Sequence, residues 1–288
     1  MTKAATTKML IKTGRTFFAT GIIAFGIQQL IIGDFRPEIL PPFPALLHEY
    51  VVFPLITGIA LIIAGIIILG LFAIKENTRK KTCLYLGIYF LLLIVICHIP
   101  YNLILSPNKA IHLGVWAPML KELAFAGGAF VIAGSFENIP VVDKKNLRSP
   151  LLEKLIPFGR IFFSITMILY GYSHYLYIDY ISRMVPKWFG MPVFWAYFAG
   201  TALMSAGICI LFKIWIKPVA SLLAIMIIIW FIFLHIPDAI RNPYLAKGNE
   251  IVSAFDALLF SGVAIVIAFT IKSLAGKMHN SNFLIPGL

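Results

Sequence analysis

Charge is scarce in this chain, and acid is scarcer than base. Only 12% of its 288 residues are Asp, Glu, Lys or Arg, about half the roughly 25% typical of a soluble domain. A further 60% are hydrophobic, and mean hydropathy is +0.92. Such a composition excludes a soluble globular protein, which has far more charge on its surface. The stretches Tyr50–Ile74 and Trp188–Phe212 carry no charged residue. Each is longer than the roughly 20 residues that cross a bilayer core.

Cysteine is nearly absent too. Cys83, Cys97 and Cys209 lie far apart, with no C-x-x-C. That argues against dithiol chemistry of the quinone-linked, disulfide-forming kind and leaves three small hydrophobes. The chain lacks a phosphate loop, G-x-S-x-G and H-E-x-x-H. It also lacks a tight His/Cys cluster of the kind zinc needs, so no metal is expected. The first apolar run, after Arg15, has no A-x-A-like exit and reads as a retained span.

The basic excess remains to be explained. The net charge is +12, with 24 Lys/Arg against 12 Asp/Glu. Nucleic acid is not the expected partner, because the positive charge is segregated. It gathers in Met1–Arg15, Lys75–Lys81, Asp143–Lys154, at Lys213 and Lys217, and at Lys272 and Lys277. The loops between are near neutral or acidic. That alternation follows the positive-inside rule. It places both termini in the cytoplasm of a multi-pass inner-membrane protein and requires an even number of spans.

Eight spans are expected near Thr16–Ile32, Tyr50–Phe72, Thr82–Leu105, Trp116–Phe136, Ile161–Ile178, Pro192–Phe212, Pro218–Ile240 and Ile251–Ile271. Helices are expected because lipid offers the backbone no hydrogen bonds. The halves resemble each other. Gly14, Arg15, Phe17, Phe18, Gly26 and Asp34 match Gly159, Arg160, Phe162, Phe163, Gly171 and Asp179. The order continues through Pro41/Pro186, Gly58/Gly200, Gly65/Gly207, His98/His235, Pro100/Pro237, Phe125/Phe260 and Gly127/Gly262. Such order indicates duplication. Four spans per repeat make the repeats parallel, about an axis along the membrane normal. The expected fold is an all-α integral membrane protein of two parallel four-helix bundles. Its units are 1–137, a cytoplasmic linker 138–157, 158–276 and a tail 277–288.

Several ionisable residues sit deep. Lys121, Glu122 and Asp256 stand at the start of fourth spans too short to cross the bilayer without borrowing from that end, and such residues usually face a bundle interior or wet cavity. Lys121 and Glu122 are adjacent on one helix and point about 100° apart. His98 and His235 each precede a proline by two residues, and each proline frees the carbonyl four residues back, at Ile96 and Phe233. His174, Asp179, His235, Asp238, Arg241 and Asp256 are therefore expected to gather at the outer end of the second repeat. The first repeat offers Gln29, Asp34, His98, Lys121 and Glu122. The plainer reading of each histidine is a helix-end side chain capping a carbonyl. Gly58/Gly65 and Gly200/Gly207 read as helix contacts, and the aromatics largely as belt and packing. Haem held by His98 and His235 is disfavoured, because a ligand pair at span ends beside prolines is atypical.

The segments "GRIFFSITMILYGYSHYLYIDY", "MVPKWFGMPVFWAYFAGTALMSAGICI", "FLHIPDAIRNP" and "GNEIVSAFDALLFSGVAIVIA" resemble the DoxX and DoxX-like family of small bacterial membrane proteins. Members are usually single four-helix units, so the chain resembles two such units fused. The second is the closer match. The first has Gln29 where the family often has histidine after Phe-Gly, and it lacks the arginine after the His-Pro turn. Some members are implicated as membrane subunits of thiosulfate:quinone oxidoreductase or as anchors for redox enzymes. The resemblance therefore implies a redox-associated role, with a quinone as the compatible cofactor and a redox protein as partner alongside membrane lipid. His174 and His235 would act as bases or hydrogen-bond partners, with Asp179 and Asp256 orienting them. Asp238, Arg241, His98 and Glu122 are secondary binding candidates. A non-catalytic bundle that binds or transports a lipid or small solute, and a membrane anchor, remain open alternatives.

Overall fold

The computed structural model describes residues 2–105, 107, 111–136 and 150–271. The tail expected at 277–288, residues 272–276 of the second unit, and the linker up to residue 149 lie outside them. Among the described residues there are helices and no strands. Eight helices are long and apolar enough to cross a membrane: α1 (Lys3–Ile32), α2 (Val52–Leu69), α3 (Glu76–Leu105), α4 (Leu113–Ser135), α5 (Leu151–Leu176), α6 (Pro192–Phe212), α7 (Ile216–Arg241) and α8 (Leu245–Thr270).

The helix ends explain where expected and observed boundaries differ. α1 starts at Lys3 because the Thr2 hydroxyl accepts the Ala5 N–H at 3.3 Å, satisfying one orphan donor of the first turn. Gly33 (φ +70°) and Gly70 (φ +76°) end α1 and α2 in the left-handed conformation that glycine adopts without penalty. α4 and α8 begin at Leu113 and Leu245, earlier than the expected starts at Trp116 and Ile251. Lys121, Glu122 and Asp256 therefore lie well inside helices.

Packing follows a closed order. α1 rests on α2 and α8, α5 on α4 and α6, α3 on α4, and α7 on α8, while α4 and α8 meet in the middle. Neither half closes on itself: α1 packs on α8 rather than on α4, and α5 packs on α4. Glycine sets these crossings. A Cβ on Gly127 would lie 2.7 Å from the Gly159 carbonyl oxygen, and one on Gly262 would lie 2.6 Å from that of Gly14. Close approach of this kind is how lipid-embedded helices gain dispersion energy without a hydrophobic drive. At the centre Phe125 and Phe260 meet at 5.9 Å, extended by Phe25 and Phe163. At the opposite end of the bundle from Asp34, arginines take the orphan carbonyls of helix C-termini. Arg79 donates to Ile68 O at 2.7 Å, Arg160 to Ile210 O at 2.8 Å, and Arg15 to Ser135.

α3 and α7 share a local distortion. Each widens into a π turn just before its proline, at Ile94–His98 and Phe231–His235. The N–H of Ile99 bonds Ile94 O, and that of Ile236 bonds Phe231 O. These five-residue bonds accommodate the donor missing at Pro100 and Pro237, and each turn ends on a histidine. π bulges of this kind occur frequently at functional sites.

Candidate functional site

α5, α6, α7 and α8 line a partly open cavity of about 260 Å³ that Lys121 of α4 also reaches. Its polar lining is His174, His235, Lys121, Asp256, Tyr170 and Ser253, and most of the rest is apolar or aromatic, including Trp195, Met226 and Trp230. Each polar group is positioned locally. The Nδ1 of His174 lies 2.7 Å from Tyr170 O, one turn back on α5. A carbonyl only accepts, so Nδ1 carries the hydrogen and the other ring nitrogen, Nε2, holds a lone pair in the neutral ring. Gly200 makes room for this side chain, since a Cβ there would stand 2.6 Å from the His174 Cβ. His235 enters at the end of the α7 π turn. The Tyr170 hydroxyl donates to Ala117 O at 2.9 Å.

An ion cluster forms one wall. The Lys121 ammonium lies 2.8 Å from Asp256 and 3.2 Å from Glu38, and Arg36 approaches Glu38 at 4.0 Å. Asp256 is 4% exposed and Arg36 2%. Two cations face two anions, so the cluster is neutral as a whole, as a buried set of charges must nearly be. Glu38 sits outside the spans. Burial alone would raise its pKa, but Lys121 and Arg36 outweigh burial and hold the carboxylate below its ordinary value. Beside this cluster Asp34 meets His48 at 2.8 Å and Lys247 at 3.1 Å. Burial would raise Asp34 as well, yet its hydrogen bonds to His48, Lys247 and the Phe35 N–H lower its pKa overall.

The first half is arranged differently. Gln29, which the sequence pairs with His174, is 0% exposed and donates to Pro54 O at 3.2 Å and to the Thr57 hydroxyl at 2.9 Å. Residues 35–41 after α1 fold back into the protein, burying Arg36, Glu38, Ile39 and Leu40. The matching segment of the second half instead supplies Ile181, Met184 and Val185 to the cavity wall. His98 is 1% exposed and its Nε2 lies 3.0 Å from the Glu122 carboxylate, which is fully buried. The pair is out of line for a hydrogen bond, and both Glu122 oxygens lack one.

The structure thus brings three sequence candidates, His174, His235 and Asp256, into one cavity. His98 and Glu122 form a separate buried pair, so His98 and His235 share no cavity. Asp179 is exposed, its carbonyl accepting from Arg183 at 2.7 Å. Arg241 is exposed and Asp238 half-buried, and neither lines the cavity. The reason is helical geometry: Asp238 and Arg241 stand on the final helical stretch of α7, Ile236–Arg241, beyond His235, the last α7 residue to line the cavity. Cavity residues outside the expected set are Lys121, placed there with the first repeat, Tyr170 and the Trp195/Trp230 wall. The repeat held the signal for Lys121. Extending Phe125/Phe260 back four positions pairs Lys121 with Asp256, the two residues that now touch. Among the described residues no cluster of three His, Cys, Asp or Glu side chains could hold a metal ion, and Cys83, Cys97 and Cys209 are all free.

The cavity's main walls, α5 to α7, coincide with a stretch that a known family matches. The DoxX family model covers residues 155–236. This segment is similar to a DoxX domain. It carries His174, Trp195, Trp230 and His235, while α8 and Lys121 complete the cavity from outside the match. The comparisons find no matching curated protein and no matching solved structure. The chain is a multi-pass membrane protein whose second half contains a stretch that matches the DoxX family.

Proposed function

We propose that the chain is a quinone-linked, redox-associated membrane subunit whose DoxX-like domain receives the quinone or quinol head group between His174 and His235. The observation that carries this is the His174 side chain: Nδ1 donates to Tyr170 O, leaving Nε2 to accept a quinol hydroxyl or, when protonated, to donate to a quinone oxygen. His235 lines the same cavity and serves as the second partner. Lys121 and Asp256 form the polar floor and fix the local potential. Around these groups the wall is aromatic and apolar, which suits a flat ring. The residues hold, orient and exchange protons with the ring. The two electrons of quinol oxidation pass to a redox protein partner. The Lys/Arg distribution supports a place in the cytoplasmic membrane with both termini inside. The matched glycines, His-Pro turns and crosswise Gly14–Gly262 and Gly127–Gly159 contacts support descent of both halves from one duplicated unit.

Purification in mild detergent, followed by mass spectrometry of bound quinone and co-purifying proteins, tests the reading. Quinone retained by the wild type and lost from His174→Ala and His235→Ala is expected. Equal retention by both variants refutes it. A second reading, a bundle that binds or transports a lipid or small neutral solute, is favoured by the largely apolar cavity wall. Flux in proteoliposomes with no quinone retained would favour it.

A further inference from the structure

Beside the cavity a second, apolar groove of about 460 Å³ runs between α6 and α7. The two spaces share Trp195, Met226 and Trp230. Small residues, Ala202, Ser205 and Ala206, line the α6 side and leave the space unfilled. The opposite lip is apolar and turned outward, with Leu222 66% and Ile225 52% exposed. From Trp195 to Cys209 the groove follows α6 for about 21 Å at 1.5 Å per residue, along the direction of lipid chains.

We propose that this groove holds the hydrocarbon tail of the ligand whose head occupies the His174/His235 cavity, and that the ligand enters sideways from the bilayer past Trp195, Met226 and Trp230. The inference rests on the head-group reading above. Size constrains the ligand. A cavity of about 150 Å³ holds benzene, so one of about 260 Å³ takes a single substituted ring, and a long tail must extend beyond it. Two walls adjoin a further space: Tyr170 and Ile181 border one of about 330 Å³, while Trp195, Met226 and Trp230 border the larger and more apolar groove of about 460 Å³. Electrostatics constrains it too. Lys121 is committed to Asp256 and Glu38, so the charged wall is balanced. The remaining polar groups, His174, His235 and Ser253, suit a neutral head with hydrogen-bonding oxygens. A phosphate head would need an uncommitted cation. The occupant is thus a single-ring, neutral, single-tailed amphiphile, which excludes a diacyl phospholipid from the joint site.

Photolabelling of the full chain in lipid nanodiscs tests this. The probe is a benzoquinone with a decyl tail that ends in a diazirine. The expected result is labelling confined to the facing stretches 198–209 of α6 and 219–229 of α7, lost on adding excess tailless tetramethylbenzoquinone and lost in Ser205→Phe, which fills the groove from its exposed side. A phospholipid bearing the same diazirine should label all lipid-facing helices and resist competition. Labelling by the quinone probe that is competed but lies on another helix pair overturns the groove and spares the head site. Labelling confined to the groove but unchanged in His174→Ala and His235→Ala supports the groove and refutes the head-group reading. Even, uncompeted labelling of the whole lipid-facing surface overturns both.

Discussion

Removing the Lys121 ammonium should destabilise the protein more than removing Lys121 and the Asp256 charge together. Lys121 lies 2.8 Å from Asp256 and 3.2 Å from Glu38. With an effective dielectric of about 20, each contact has a Coulomb attraction of roughly 5–6 kcal/mol. Desolvation takes back several kcal/mol per ion, and losing one partner of such a buried set typically costs about 3–5 kcal/mol. Lys121→Met leaves Arg36 against Glu38 and Asp256, a net charge of −1 in a buried site. Asp256→Asn leaves a net +1. The double variant returns the cluster to zero, with Arg36 facing Glu38. Each single variant should therefore lose about 3–5 kcal/mol, and the double should lose less than either. Reversible unfolding by SDS in mixed micelles, followed by tryptophan fluorescence, reads all three. A double variant whose loss equals the sum of the singles would refute the claim that these charges act as one balanced set.

Other outcomes follow from the same geometry. Gly200→Ala puts a Cβ 2.6 Å from the His174 Cβ and 2.9 Å from Gly171 O, so it should cost about 1–3 kcal/mol and weaken quinone binding. Gly58→Ala, 2.9 Å from Gly26 O, should cost a similar amount and leave binding intact; titration of both variants checks this. The Asp34 ties to His48 and Lys247 give a pH dependence. The folded-state pKa is lowered from 3.8, so the stabilisation is fully present above the unfolded value and is lost as pH falls through the folded one. Thermal melts below about pH 4 should show this loss, and His48→Ala should flatten it. Gln29→His should not confer quinone binding on the first half, because residues 35–41 bury Glu38, Ile39 and Leu40 there. Isothermal titration with His174→Ala as background would show it.

The span count was legible because charge-free runs, basic loops and short apolar segments all report bilayer depth directly. Helix ends were less so. Thr2 extends α1 to Lys3 by a side-chain cap, and α4 gains its first turn, Leu113–Trp116, as a tight 3-10 turn ahead of the α-helix. The site was legible in part. His174, His235 and Asp256 carry depth information, since an ionisable residue inside a span faces inward. Asp179, Asp238 and Arg241 share the right neighbourhood in sequence, yet Asp179 stands on the exposed side of the short helix Ile178–Met184 whose Ile181 and Met184 face the cavity, and Asp238 and Arg241 follow His235, the last α7 residue to line it. The interlock of the halves was hidden, because glycine spacing specifies close approach without naming the partner. That Gly14 meets Gly262, and Gly127 meets Gly159, is decided by tertiary packing. Lys121 was visible as a deep cation, but its partner appeared only when its position was paired with Asp256.

The most direct test of a quinone site in the DoxX-like domain uses its own fluorophores. Trp195 and Trp230 line the cavity, so a bound quinone should quench their emission. Titration of decyl-benzoquinone into the nanodisc-embedded chain should give saturable quenching in the wild type and His98→Ala. The saturable component should vanish in the His174→Ala/His235→Ala double variant. Quenching that is linear in quinone concentration for all three proteins, or saturation that survives loss of both cavity histidines, would contradict the account.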